Sequence, residues 1–274
     1  MEYKFIKQAE TGKNDWWRYV LTILATVAGI AIANIGIQQI LPTFKSLFPD
    51  NQFGKDLGMS ILIGVVFSIA LFAFVTAAKK LHQRSFFSFI NTGGTFRWTS
   101  YFSGFLIWGV LLFLGALTTD FDIFQSFLSK LNITHFLILF AVGFISIGIQ
   151  SFFEELVIRG YFLQGKHLKI KNITILILVN ALIFGVLHFG YGIESFIHSL
   201  TFGIAFALIV IKQNRIEFVS GAHNANNLLL SLVFLDISEA VNANFSWTIN
   251  WLEMTIHLII LSLFVGIVYK FLRN

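Results

Sequence analysis

Residues 135–160 read HFLILFAVGFISIGIQSFFEELVIRG. From Phe136 to Gln150 nothing is ionisable; Glu154, Glu155 and Arg159 then follow within one short stretch. About 20 mostly apolar residues suffice for a helix to cross a bilayer, so this segment reads as a membrane span. A charge at the bilayer centre costs about 2.5–3.5 kcal/mol on insertion scales, which makes intramembrane ionisable groups functional suspects. The reading of this segment therefore sets both the fold class and the search for a site.

The remainder of the chain repeats the apolar pattern. Of 274 residues, 56% are hydrophobic and 12% charged, with a mean hydropathy of +0.78; soluble domains are nearer 25% charged. We read an all-α, polytopic membrane helix bundle of about eight transmembrane helices, at 17–41, 57–78, 99–118, 135–160, 172–190, 193–211, 217–235 and 249–271. Residues 1–274 form one integral membrane domain on this reading. Both prolines, Pro42 and Pro49, fall in the first loop, so no span is expected to kink. The first apolar run is too long for a cleavable signal peptide and reads as a retained span. Glycines such as Gly29, Gly36, Gly143 and Gly148 are expected to let helices pack closely. The mixed stretch 84–97 reads as a short interfacial helix or a loop.

Charge placement orients the bundle. Sixteen of the 19 Lys and Arg fall in alternate segments: Lys4 to Arg18, Lys79 to Arg97, Arg159 to Lys171, Lys212 with Arg215, and Lys270 with Arg273. Acids such as Asp50, Asp120, Asp122, Asp236 and Glu239 gather in the others. The positive-inside rule then implies an N-in, C-in topology. Five of the six Trp lie at span ends, as an aromatic belt requires. The net charge of +5 is explained by orientation and anionic lipid, and needs no nucleic acid.

Three spans carry the polar residues. Glu155 and Arg159, four apart, share a helix face and are placed to pair, with Ser151 above them. Glu154 lies about 100° around the axis, on the face of Gln150. An ordinary charged helix end would look the same. The fifth span supplies Asn180, Phe184 and His188 on one stripe. Glu154 precedes Lys171 by 17 residues and His188 follows it by 17, so an antiparallel pair could set them level. His188 would then bond Glu154 directly or through a shared water. Such a meeting asks the fourth helix to run on towards Lys166. The seventh span places His223 and Asn227 on one face, donors of the kind a tetrahedral oxyanion needs. His198 and His257 are intramembrane without an assigned role, and Glu253 is placed to pair with His257.

Absences narrow the chemistry. With no cysteine, thiolate nucleophiles and disulfides are excluded. There is no His-Glu-x-x-His helix and no Gly-x-Ser-Gly sequence, and the six Asp lie in loops or at span edges. Glutamate with histidine remains. The order Glu154-Glu155-x-x-x-Arg159, Phe184-x-x-x-His188, His223-x-x-x-Asn227 resembles the three motifs of the CAAX prenyl endopeptidase and bacteriocin-processing (CPBP, or Abi) membrane family, over roughly residues 150–230. That resemblance implies an intramembrane glutamic endopeptidase with no bound metal, a hydrolase whose catalytic core lies in 135–235. It implies that Glu154 with His188 activates the attacking water, that His223 and Asn227 form the oxyanion site, and that Glu155 with Arg159 holds the site in shape. The implied partner is a membrane-anchored or lipidated peptide or protein, and the implied location is the cell membrane of a prokaryote.

The residues alone leave other readings open. Glu154, His188 and His223 make a two-His, one-carboxylate set of the kind that holds zinc with a water position free. A non-enzymatic immunity or scaffold protein could use the same polar groups structurally. A proton- or solute-coupled transporter could use them as a relay, although no inverted repeat is evident.

Overall fold

Apolar runs of this length leave the backbone one solution in lipid, because every N–H and C=O must be satisfied within the segment. The computed structural model describes residues 3–234 and 245–272. Among them the regular elements are helical, apart from a lone bridge between Asn91 and Arg215. In order they are α1 (Trp16–Lys45), α2 (Gln52–His82), α3 (Trp98–Thr119), α4 (Phe121–Lys130), α5 (Ile133–His167), α6 (Ile173–His188), α7 (Ile193–Gln213), α8 (Glu217–Leu229) and α9 (Trp251–Phe271). Seven of the helical segments are long and apolar enough to cross a membrane. Each of the seven coincides with an expected span.

The expected span 217–235 is the exception. It forms α8 followed by a π-helical turn, Leu230–Phe234, but too polar a one to count as a lipid-facing span. Every residue from Glu217 to Ala225 is buried. Protein therefore surrounds this helix where lipid would not tolerate it. Its closest neighbour is α3, approached through paired glycines. A Cβ on Gly104 would collide with the Phe218 carbonyl, and one on Gly221 with the Tyr101 carbonyl. On the α5 side, a Cβ on Gly143 would come within 2.8 Å of Leu228 Cδ1, and one on Gly148 within 3.0 Å of Asn224 Nδ2. Gly29 is likewise packed, against Ala73, but Gly36 faces nothing within 4 Å. Position 235, with Asp236, Glu239 and Arg273, lies outside the described residues.

Several boundaries differ from expectation. Helix α1 continues to Lys45 and so contains Pro42 in its last turn. The proline removes the bond to the Gln38 carbonyl, but only the last turn of the helix lies beyond it, so a bend there would displace little of the span. Between spans three and four the chain forms the exposed ten-residue α4, which carries no buried residue. The stretch 84–97 makes only a 3-10 turn, Phe86–Phe89, with Phe89 and Ile90 buried. It is a plug under the bundle, not an interfacial helix.

The plug belongs to an end of the bundle where the segments rich in Lys and Arg meet. Phe5 and Ile6 are fully buried, and the Phe5 N–H donates to Asn214 Oδ1 at 3.0 Å. His82 lies between the Lys13 carbonyl and the Tyr161 hydroxyl, 2.7 Å from each. Arg84 donates to Gln164 Oε1 at 2.5 Å and lies over the Phe89 ring at 4.3 Å. Burial pushes its guanidinium down to about 10, leaving it charged at neutral pH.

Near the other end, the expected Glu253–His257 pair is not made. Glu253 accepts from the Asn250 amide, while His257 Nε2 is 3.0 Å from Thr201 Oγ1 and its ring stacks on His198 at 4.2 Å. Helix α7 runs beside α9 and offers His257 a closer partner than its own helix does.

Candidate active site

Helix α5 is the site's main support. It runs 35 residues, from Ile133 to His167, past the expected end at 160 and past Lys166. From Leu156 to Leu163 its hydrogen bonding is π-helical. Such insertions are rare and often mark functional sites. Two neighbours accommodate the widened turn. Asn180 of α6 donates its amide to the Ile158 carbonyl at 2.8 Å, and glycine at 160 leaves room for the Phe89 carbonyl.

Immediately before the π segment, Glu155 Oε1 accepts from Arg159 Nη1 at 2.9 Å, and neither side chain is exposed. The expected i, i+4 pair is therefore present. The guanidinium also lies over the Phe184 ring at 4.2 Å. A buried ion pair survives only with such close partners, because desolvating each charge costs several kcal/mol.

The same Glu155 Oε1 lies 2.9 Å from His223 Nδ1. A carboxylate accepts only, so Nδ1 carries the proton. His223 Nε2 then faces Glu154 Oε2 at 3.7 Å, too far for a hydrogen bond. Glu154 is the more accessible carboxylate, with 20% of its side chain exposed, and its Oε1 accepts from Gln150 Nε2 at 3.2 Å. The rings of Phe184, Phe202 and Phe206 surround His223, with centroids 5.9–6.3 Å away. Thus one imidazole lies between two neighbouring carboxylates, hydrogen-bonded to Glu155 and facing Glu154, an arrangement the motif spacing did not reveal.

His188 sits at the C-terminal end of α6. Its Nδ1 bonds the Phe184 carbonyl at 2.8 Å, so Nδ1 donates and a neutral ring keeps its lone pair on Nε2. The direct bond to Glu154 is not made. Phe184 touches both His188, at 4.5 Å, and His223, at 5.9 Å. Asn227 stands one turn beyond His223 on α8, and its Oδ1 accepts from Asn226 Nδ2 at 3.1 Å. Among the described residues no three His, Asp or Glu side chains converge as metal ligands. Glu154, His188 and His223 do not form such a group.

Gln150, Asn180 and the π segment complete this constellation. The spacing of Gln150 from Glu154 was legible as a shared face. The helical register change carried no sequence signal.

Residues 133–229, from the start of α5 to the end of α8, match a family model described as Rce1-like, type II CAAX prenyl endopeptidase Rce1-like. The motif-bearing region is Rce1-like. The resemblance to CPBP proteins carried by the three motifs is borne out, and all six site residues fall inside the Rce1-like segment. The chain is also similar to an uncharacterized protein, YyaK, of Bacillus subtilis (strain 168). The two are 29% identical over 243 residues, which cover 83% of this chain and 81% of that protein. No solved structure gives a significant match. With seven helices long and apolar enough to cross a bilayer, the chain is an integral, multi-pass membrane protein whose residues 133–229 are similar to the Rce1-like family.

Proposed function

We propose that this protein is an intramembrane glutamic endopeptidase that hydrolyses a peptide bond near a substrate's membrane anchor. One observation carries the reading: two adjacent intramembrane carboxylates flank a single imidazole, at 2.9 Å from Glu155 and 3.7 Å from Glu154. The two carboxylates differ in environment. Glu155 is held by Arg159 and His223, whereas Glu154 is partly exposed: its Oε1 accepts from Gln150, its Oε2 lies 3.7 Å from His223 without a hydrogen bond, and the Arg159 charge acts on it from further away.

Water bound between Glu154 and the free Nε2 of His188 attacks the peptide carbonyl and gives up a proton to Glu154. The carbonyl oxygen becomes an oxyanion facing the Asn227 amide and, in its imidazolium form, His223 Nε2. Collapse breaks the C–N bond, the proton held by Glu154 passes to the departing amine, and the new carboxylic acid releases its remaining proton to solvent. Glu155 and Arg159 keep the imidazole oriented. The substrate is a lipidated or otherwise membrane-anchored peptide or protein. The similarity to a Bacillus protein supports a place in a prokaryotic cell membrane.

The test is cleavage of a farnesylated CAAX peptide by the purified full chain in detergent. Glu154→Gln keeps the shape and removes the base, so kcat should fall by about 10²–10⁴-fold, the usual contribution of general acid–base catalysis. Cleavage at the parent rate by this variant would remove Glu154 from the mechanism and favour a non-enzymatic role.

A further inference from the structure

Trp108 is the one tryptophan that lies within a span and away from its ends. It is fully buried in α3, with Phe202 and Phe264 edge-on to its ring at 5.1 Å each. Its indole Nε1 lies 3.2 Å from Asn226 Oδ1, and Asn226 Nδ2 lies 3.1 Å from Asn227 Oδ1. From this chain of contacts we infer that Trp108 and Asn226 are positioning residues that decide which end of the Asn227 amide faces the site. The inference rests on the reading of Asn227 as an oxyanion donor.

An indole N–H can only donate, whereas a primary amide presents a donor at one end and an acceptor at the other. Trp108 therefore takes the oxygen of Asn226. That leaves the nitrogen of Asn226 to face Asn227, which must answer with its own oxygen. The Asn227 N–H2 is then turned away from Asn226 and is free to meet an anion. An isolated amide could rotate to present either end. Here a flip of Asn227 would set two N–H2 groups against each other, and a flip of Asn226 would set one against the indole N–H. The packing of Phe202 and Phe264 keeps the indole from turning to relieve the conflict. Helix α3, which carries none of the motif residues, thus fixes the polarity of a group on α8.

The experiment uses the full chain in detergent and a farnesylated CAAX peptide, with kcat and KM measured separately and the melting temperature of every variant recorded. Asn227→Ala should lower kcat by about 10²–10³-fold, as the loss of an oxyanion donor does. Asn226→Asp should approach that loss with KM little changed, because the new carboxylate accepts from both neighbours and draws the Asn227 N–H2 away from the site. In the Asn227→Ala background the same Asn226→Asp change should add nothing. Trp108→Phe keeps the aromatic packing and deletes the donor, so kcat should fall part of the way. In a chain labelled with 15N-tryptophan, the Trp108 indole resonance, identified by its absence in Trp108→Phe, should shift in Asn226→Leu.

Full kcat in Asn226→Asp beside a crippled Asn227→Ala would overturn the relay and leave the oxyanion reading standing. Equal losses from Asn226→Asp in both backgrounds, or an unmoved indole resonance, would also overturn it. Full kcat in Asn227→Ala would instead sink the oxyanion reading, and the relay with it.

Discussion

Glu155 and His188 sit in the same site but depend on their surroundings differently, and the difference can be measured. Glu155 is a buried charge whose tolerance rests on Arg159 at 2.9 Å and His223 at 2.9 Å. Removing one partner of a buried pair typically costs about 3–5 kcal/mol, because the other charge is left uncompensated. Arg159→Met should therefore lower the melting temperature in detergent markedly, along with activity. His188 makes its ring hydrogen bond to the carbonyl of Phe184, one turn back on its own helix. His188→Ala should leave melting almost unchanged while cleavage falls by about 10²–10⁴-fold. If both variants lost stability alike, His188 would be a packing residue. At this scale the sequence was informative where partners share a helix: the Glu155–Arg159 and Gln150–Glu154 contacts both follow from i, i+4 spacing. It was silent on Glu155–His223, a contact across 68 positions of chain. It misled at Glu253, where an equally good i, i+4 spacing lost to partners elsewhere.

Among the elements, α5 and α8 explain why the site exists. Helix α5 runs on to His167, and a boundary drawn at the first charges cut it short at 160. Charges end a lipid-facing span but not a helix, and here the extra turns are paired inside protein. The π segment that follows Glu155 depends on a donor from another helix. Asn180→Leu would leave the Ile158 carbonyl buried without its partner, a loss of about 1–3 kcal/mol. We expect lower melting together with reduced kcat, since Arg159 lies within the altered turns. Normal activity and melting in that variant would show that the π geometry sustains itself. Helix α8 is the opposite case. Its His223, Asn224, Asn226 and Asn227 would be costly in lipid, and the bundle meets the cost by enclosing the helix between α3 and α5. The glycine contacts that permit this, at Gly104 and Gly221, were not among the glycines singled out from the sequence, because a backbone approach depends on which helix arrives opposite.

For the molecule as a whole, the end of the bundle built from Phe5, Lys13, His82, Arg84, Gln164 and Asn214 closes the helices below the site. Phe5 is fully buried there, so Phe5→Ala should destabilise by about 3–5 kcal/mol, read as a lower melting temperature. Orientation can be tested cleanly because the chain has no cysteine. For an N-in, C-in arrangement, a single cysteine replacing Lys169 should resist a membrane-impermeant thiol reagent in intact cells, and one replacing Asp122 should react. The reverse pattern would invert the topology. Amino-acid order by itself determined the helical class, the places of the apolar spans and the three polar stripes, since hydrophobicity and helical periodicity are local properties of a chain in lipid. Tertiary structure alone decided that His223 joins the two carboxylates, that α8 is sheltered by protein, and that Trp108 meets Asn226. Those contacts link positions far apart in sequence, and which of them forms is settled only when the helices choose their neighbours.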